Sequence, residues 1–281
     1  MRLGAPVYLS TNDPAELARE HRRLGYRAAY APHFAKLDDP AMVRKTEEAF
    51  KAEGVIISEV GAWCNPLSGD ADTAAKAIAY MKQQLALADE LGAECCVNIL
   101  GSHSPTNWDG PHEDGYTEAF FEECVAVTRD IIDAVKPKRT KLSYEMMPFY
   151  FLDSADEYLR LIKAVDRSAI GVHLDFANCV ASPRIYYNTA ALINDCFDKI
   201  GENILSVHVK DIKIRSGVCT AMFEEVPIGQ GNMDFTTLLT RANALSRDLP
   251  LMLEHLPSEE VYLEAAKAMK EKASALGLRF E

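Results

Sequence analysis

Four short segments of this 281-residue chain read as buried β-strands, and each ends on a side chain of the metal-binding type. They are Leu142-Ser143-Tyr144-Glu145, Val172-His173-Leu174-Asp175, Leu205-Ser206-Val207-His208 and Leu251-Met252-Leu253-Glu254. A carboxylate or imidazole at the end of an apolar strand is costly to bury unless something pairs with it. Four such ends, separated by helical stretches, point to one shared divalent-cation site. They also constrain the fold, because parallel strands joined by helices deliver their C-terminal ends to one rim.

The rest of the chain fits that frame. Apolar strands are expected near 3–9, 26–32, 55–63, 94–101, 141–148, 170–176, 204–211 and 249–256. Between them apolar residues recur at spacings of three and four, as over 74–91 and 116–135. Asn12-Asp13-Pro14, Asp38-Asp39-Pro40 and Pro257-Ser258-Glu259-Glu260 carry helix-start chemistry. Eight strands alternating with helices predict an α/β fold, a (β/α)8 TIM barrel forming a single domain over 1–281. The 48% hydrophobic content supplies a core of that size. Long connections at 64–70 and 101–115 would lie at the C-terminal mouth of such a barrel. Trp63 and Trp108 fall at or inside them, either stacking on a sugar ring or plugging the barrel top.

Charge and cysteine usage narrow the partners. Asp and Glu number 42 against 30 Lys and Arg, a formal charge of -12, which opposes nucleic-acid binding. No apolar stretch is long enough to span a membrane, and residues 1–9 are too short and interrupted for a signal peptide. The seven cysteines form no Cys-x-x-Cys pair and no even framework, so reduced thiols and a cytoplasmic location are expected.

Strand parity groups Ser143 with Glu145, His173 with Asp175, Ser206 with His208 and Lys210, and Met252 with Glu254. With those faces inward, Glu145, Asp175, His208 and Glu254 converge at the rim. Three carboxylates and one imidazole favour Mn²⁺ or Mg²⁺, with Co²⁺ or Zn²⁺ behind, and the absence of a thiolate argues against a structural zinc.

The run Val207-His208-Val209-Lys210-Asp211, the segment Pro227-Ile228-Gly229-Gln230-Gly231-Asn232-Met233-Asp234-Phe235, then Leu253-Glu254, together with Leu174-Asp175-Phe176-Ala177-Asn178, resembles the xylose-isomerase-like TIM-barrel superfamily. That group includes sugar-phosphate isomerase/epimerase-like proteins, ketose 3-epimerases and inosose dehydratases. The resemblance implies Glu145, Asp175, His208 and Glu254 as ligands of one divalent ion, Mn²⁺ foremost. It also implies Glu145 and Glu254 as an acid/base pair, and it carries the expectation of a homo-oligomer. Ketose 3-epimerases have a histidine where this chain has Asn178.

The chemistry expected is proton removal beside a carbonyl of a small carbohydrate, through an enediolate stabilised by the cation, with reprotonation giving isomerisation or epimerisation. Lys210 is a candidate to orient a substrate oxygen. Asp211 is one to hold His208 or a substrate hydroxyl. His103, His173, His33 and Arg215 are further candidates for substrate contact, His173 one layer deeper and favoured as a core histidine. His255 is expected to face outward, and Gly229-Gln230-Gly231 to form a tight turn rather than a phosphate loop. The runner-up reaction is a lyase or dehydratase acting on an inosose or keto sugar, cleavage of a keto C-glycoside included. An apurinic-site endonuclease or a non-catalytic sugar-binding barrel ranks below that.

Overall fold

The strands form where β-branched and other apolar residues run between turn-forming sequences, and the helices where capping residues open amphipathic stretches. The computed structural model describes residues 1–245 and 248–281. In chain order the elements are β1 (Arg2–Gly4), α1 (Pro14–Leu24), β2 (Ala28–Tyr30), α2 (Pro40–Ala52), β3 (Ile56–Gly61), α3 (Ala71–Leu91), β4 (Cys95–Asn98), α4 (Glu118–Val135), β5 (Lys141–Glu145), α5 (Ala155–Val165), β6 (Ile170–Asp175), α6 (Pro183–Tyr186), α7 (Thr189–Ile200), β7 (Ile204–Val209), β8 (Asp211–Ile214), β9 (Phe223–Val226), α8 (Phe235–Ala244), β10 (Pro250–Leu253) and α9 (Glu259–Ala275). Asp13, Asp39 and Ser258 cap α1, α2 and α9 through their side chains, at the three expected starts.

Eight parallel strands close into a barrel in the order β1-β10-β7-β6-β5-β4-β3-β2, the expected TIM barrel. Leu142, Val172, Leu174, Val207 and Leu251 are fully buried in one continuous apolar layer with helix residues such as Leu85, Ile131, Leu161 and Ile193. Asp175 lies opposite His208 across β6–β7, His208 opposite Met252 across β7–β10, and Glu145 opposite His173 across β5–β6. That register brings the four strand ends to one rim.

Observed strands stop sooner than the sequence ranges at their C-terminal ends. The chain leaves the ladder at Gly61 and Asn98, yet Ala62, Ile99 and Leu100 stay buried because the mouth loops pack on the barrel top. One element was not foreseen. After β7 the chain makes an antiparallel hairpin, β8–β9, pairing Asp211 with Val226 through Ile214 with Phe223. The expected turn follows it, with Gly229 at φ 91°, and leads into α8. All seven cysteines are unpaired, and among the described residues no helix is long and apolar enough to cross a membrane.

Candidate active site

The four strand-end side chains meet. One ligand atom from each of Glu145, Asp175, His208 and Glu254 lies within 4.8 Å of the others. Nδ1 of His208 is 3.0 Å from Glu254 Oε2 and 3.4 Å from Glu145 Oε2. These groups are buried to different degrees, Asp175 wholly and Glu254 least. Seven buried side-chain polar atoms lack a hydrogen bond among the described residues, and five belong here: Asp175 Oδ2, His208 Nδ1, Glu254 Oε2 and both ring nitrogens of His173. Native interiors rarely leave such atoms unsatisfied. Two carboxylate oxygens and an imidazole nitrogen, side by side and held by ion-pair contacts alone, fit the donor set of a divalent cation.

Lys210, 6% exposed, is the internal counter-ion of these carboxylates. Its Nζ lies 2.7 Å from Asp175 Oδ2, 2.8 Å from Glu254 Oε2 and 3.5 Å from Glu225 Oε1, in ion-pair contact. Removing one partner of a buried pair leaves the other charges uncompensated. Lys210→Met is therefore expected to destabilise the metal-free protein by about 3 kcal/mol. Added Mn²⁺ should recover more stability in the variant than in the wild type. Thermal melts with chelator and with Mn²⁺ check both signs.

Electrostatics separates the two glutamates. Burial raises the Glu145 carboxyl above its ordinary value, with His208 opposing. For Glu254 burial acts the same way, but His208, Lys210 and His255 outweigh it and hold the carboxyl well below the usual range. Burial works against a charge on His208, yet Glu59, Glu254, Tyr30 and Glu145 raise it well above the usual histidine range. Glu145 is further fixed by Asn178, whose Nδ2 donates to Oε1 at 2.6 Å.

Other expected residues are distributed unevenly. Trp63, 43% exposed, stands over the site with its ring 6.4 Å from that of His208. A Cβ at residue 61 would meet its indole at 2.5 Å, so Gly61 makes room for the ring. His173 lies one layer deeper, edge-on to His208 with centroids 4.1 Å apart, and burial lowers its pKa to about 3. Trp108, 41% exposed, stays out on the loop after β4; the ring contacts of His208 are with Tyr30, Trp63 and His173. His103 is bound between Asp114 at 2.9 Å and Glu123 at 3.0 Å, away from the four-residue cluster. Arg215 projects from β8–β9, half exposed, 4.0 Å from Glu224. His33 lines a cavity of about 780 Å³ between the β2 and β3 ends and α3, whose walls include Lys36, Tyr80 and Gln84 but none of the four.

One expectation is corrected. Asp211 was expected to hold His208 or a substrate hydroxyl, but its oxygens are saturated by backbone. Oδ1 accepts from Ile212 and Met233 and Oδ2 from Gly229 and Gly231, at 2.8 to 3.1 Å. It builds the loop before α8 instead. His255 faces outward as expected, its side chain 57% exposed; it takes a left-handed φ of 56° and reaches Glu225 at 3.0 Å, tying the hairpin to the end of β10. Glu59, outside the set expected from sequence, is a buried carboxylate on β3 bonded to His208 at 3.0 Å. The signal was available as an acid inside the apolar run Ile56-Ile57-Ser58-Glu59-Val60.

Solved structures place the same barrel beside several chemistries. D-psicose 3-epimerase of Clostridium cellulolyticum, solved with D-tagatose, is similar at TM-score 0.69 and 14% identity, over 99% of this chain and 100% of that one. Endonuclease IV of Thermus thermophilus matches at 0.71 and 16%, over 98% and 100%. The probable 3-DHS dehydratase AsbF of Bacillus anthracis matches at 0.68 and 16%, over 96% and 97%. At such identities the likeness is one of fold, and the reaction has to be argued from the site. No curated protein matches the chain in sequence. A family model described as xylose isomerase-like TIM barrel matches residues 18–272, and the chain belongs to that family.

Proposed function

We propose that this protein is a divalent-metal-dependent sugar isomerase or epimerase that moves a proton next to a carbonyl. The observation carrying this reading is the meeting of Glu145, Asp175, His208 and Glu254, with three buried atoms among them held by ion-pair contacts but by no hydrogen bond of good geometry. These four residues would hold the ion. Their mostly oxygen donor set favours Mn²⁺, then Mg²⁺, with Co²⁺ or Zn²⁺ also compatible. When bound, the cation polarises the substrate carbonyl and offsets the negative charge of the enediolate.

The chain supplies the proton transfers. Glu145 ends β5, and Glu254 follows β10, three strands away around the barrel, so the two carboxylates approach a substrate from different sides. One takes the proton from carbon and the other returns one to the opposite face. Asn178 holds the Glu145 carboxylate in one orientation. Lys210, at the same rim, would present its ammonium to a substrate oxygen where a cation took over the carboxylates of Asp175 and Glu254. Trp63 offers an apolar face to the carbon side of a sugar. The acidic balance of the chain favours a small carbohydrate over nucleic acid.

Incubation of Mn²⁺-loaded protein with ketoses, inososes and keto-glycosides in deuterated water tests the assignment. Deuterium uptake at the carbon beside the carbonyl, with isomerised or inverted product, is expected. Loss of water or of an aglycone would move the protein to the lyase reading, and inertness toward the whole panel would count against sugar chemistry.

A further inference from the structure

We propose that Glu59 is a positioning residue for the cation site: its carboxylate accepts the Nε2–H of His208 and so leaves Nδ1, facing Glu145 and Glu254, as the ring nitrogen available to a cation. This inference rests on the metal-dependent reading of the same site.

Glu59 is 1% exposed, in the middle of β3, and a buried carboxylate needs strong partners to persist. Among the described residues those partners are not arginine or lysine. Oε2 sits 3.0 Å from His208 Nε2, and Oε1 accepts the Ser206 hydroxyl, which also meets the Ser58 hydroxyl at 3.1 Å. Both oxygens are thereby fixed, and the carboxylate cannot turn away from the imidazole.

Topology makes this contact long-range. In the barrel order β3 lies four strands from β7 in a ring of eight, so Glu59 reaches His208 from the opposite wall. A neutral imidazole carries one ring proton, and the hydrogen bond at one nitrogen decides which lone pair is free for a cation. With Nε2 committed to Glu59, the nitrogen a cation could take in place of a proton is Nδ1, 3.0 Å from Glu254 Oε2. His173 closes the remaining side, its ring at 76° to that of His208 and its Nδ1 3.8 Å from Glu59 Oε1.

The test is calorimetric titration of chelator-treated wild type and Glu59→Gln with MnCl₂. Removing the outer partner of a ligating histidine costs about 10–100-fold in metal affinity. That loss is expected in E59Q while circular dichroism of the metal-free protein stays native. In Zn²⁺-loaded samples the Nε2–H proton of His208 should resonate far downfield in the wild type and move upfield in E59Q, a change that a merely structural role would not produce. If E59Q does not fold, Ser206→Ala carries the same test, with a smaller weakening expected because Oε1 alone is released. Wild-type uptake of Mn²⁺ with an equal Kd in E59Q, or in S206A if only that variant folds, overturns the positioning role alone. A wild type that takes up no Mn²⁺ overturns the metal reading as well.

Discussion

Glu254→Gln and Glu145→Gln should each lower kcat by about 10²–10⁴-fold, the usual contribution of a positioned acid or base. Glutamine keeps the shape of the side chain and one acceptor oxygen but cannot take or hold the proton. The two variants should differ in their other properties. Glu254 contacts both Lys210 and His208, so E254Q also removes a counter-charge from a buried ammonium and should melt at a lower temperature. Glu145 makes its closest contact with Asn178, and the amide oxygen of glutamine can accept that hydrogen bond, so E145Q should melt close to the wild type. Steady-state kinetics with the substrate found in the deuterium assay, together with melting curves, separate the two effects. Wild-type turnover in either variant would remove that carboxylate from the chemistry.

The second large effect is on stability. Asp211→Ala should cost about 4 kcal/mol, because four backbone N–H groups lose their acceptor at once and at least some stay buried. For a domain of this size that is a fall of roughly 10 °C in melting temperature. Asp211→Asn keeps one acceptor oxygen and should lose less. Gly231→Ala should act on the same loop, since a Cβ there would collide with Asp211 Oδ1 and the Ile212 carbonyl oxygen. A D211A protein with the wild-type melting temperature would show that this loop contributes little to the stability of the fold.

The same residues show what could and could not be read before the structure. Glu145, Asp175, His208 and Glu254 were legible because each ends an apolar strand, and parallel strands share one rim. Strand parity correctly grouped Ser206 with His208 and His173 with Asp175. Asp211 misled for a physical reason. A carboxylate one residue past an inward-facing lysine looks like part of a site, and only the folded turn shows that the glycines at 229 and 231 bring their N–H groups to it. Glu59 was missed because it does not end its strand: this acid lies mid-strand and finds its partner on the far wall. Which residues face each other across a barrel depends on closure and stagger, and no local pattern records that. The β8–β9 hairpin was hidden in a long connection for a similar reason: short strands pairing outside the barrel have no periodicity strong enough to stand out. Trp63 and Trp108 are both loop tryptophans of nearly equal exposure, yet only the first has its ring beside His208, a distinction made by loop packing alone.

The central claim is that one divalent cation sits among the last four ligand-bearing strand ends. Anomalous diffraction from a crystal soaked in MnCl₂, recorded at the manganese edge, examines it directly. A single strong peak within bonding distance of Glu145, Asp175, His208 Nδ1 and Glu254, with Lys210 displaced from the two carboxylates it now contacts, is the result predicted. Ordered side chains with no peak between them, and Lys210 still in place at saturating Mn²⁺, would contradict it.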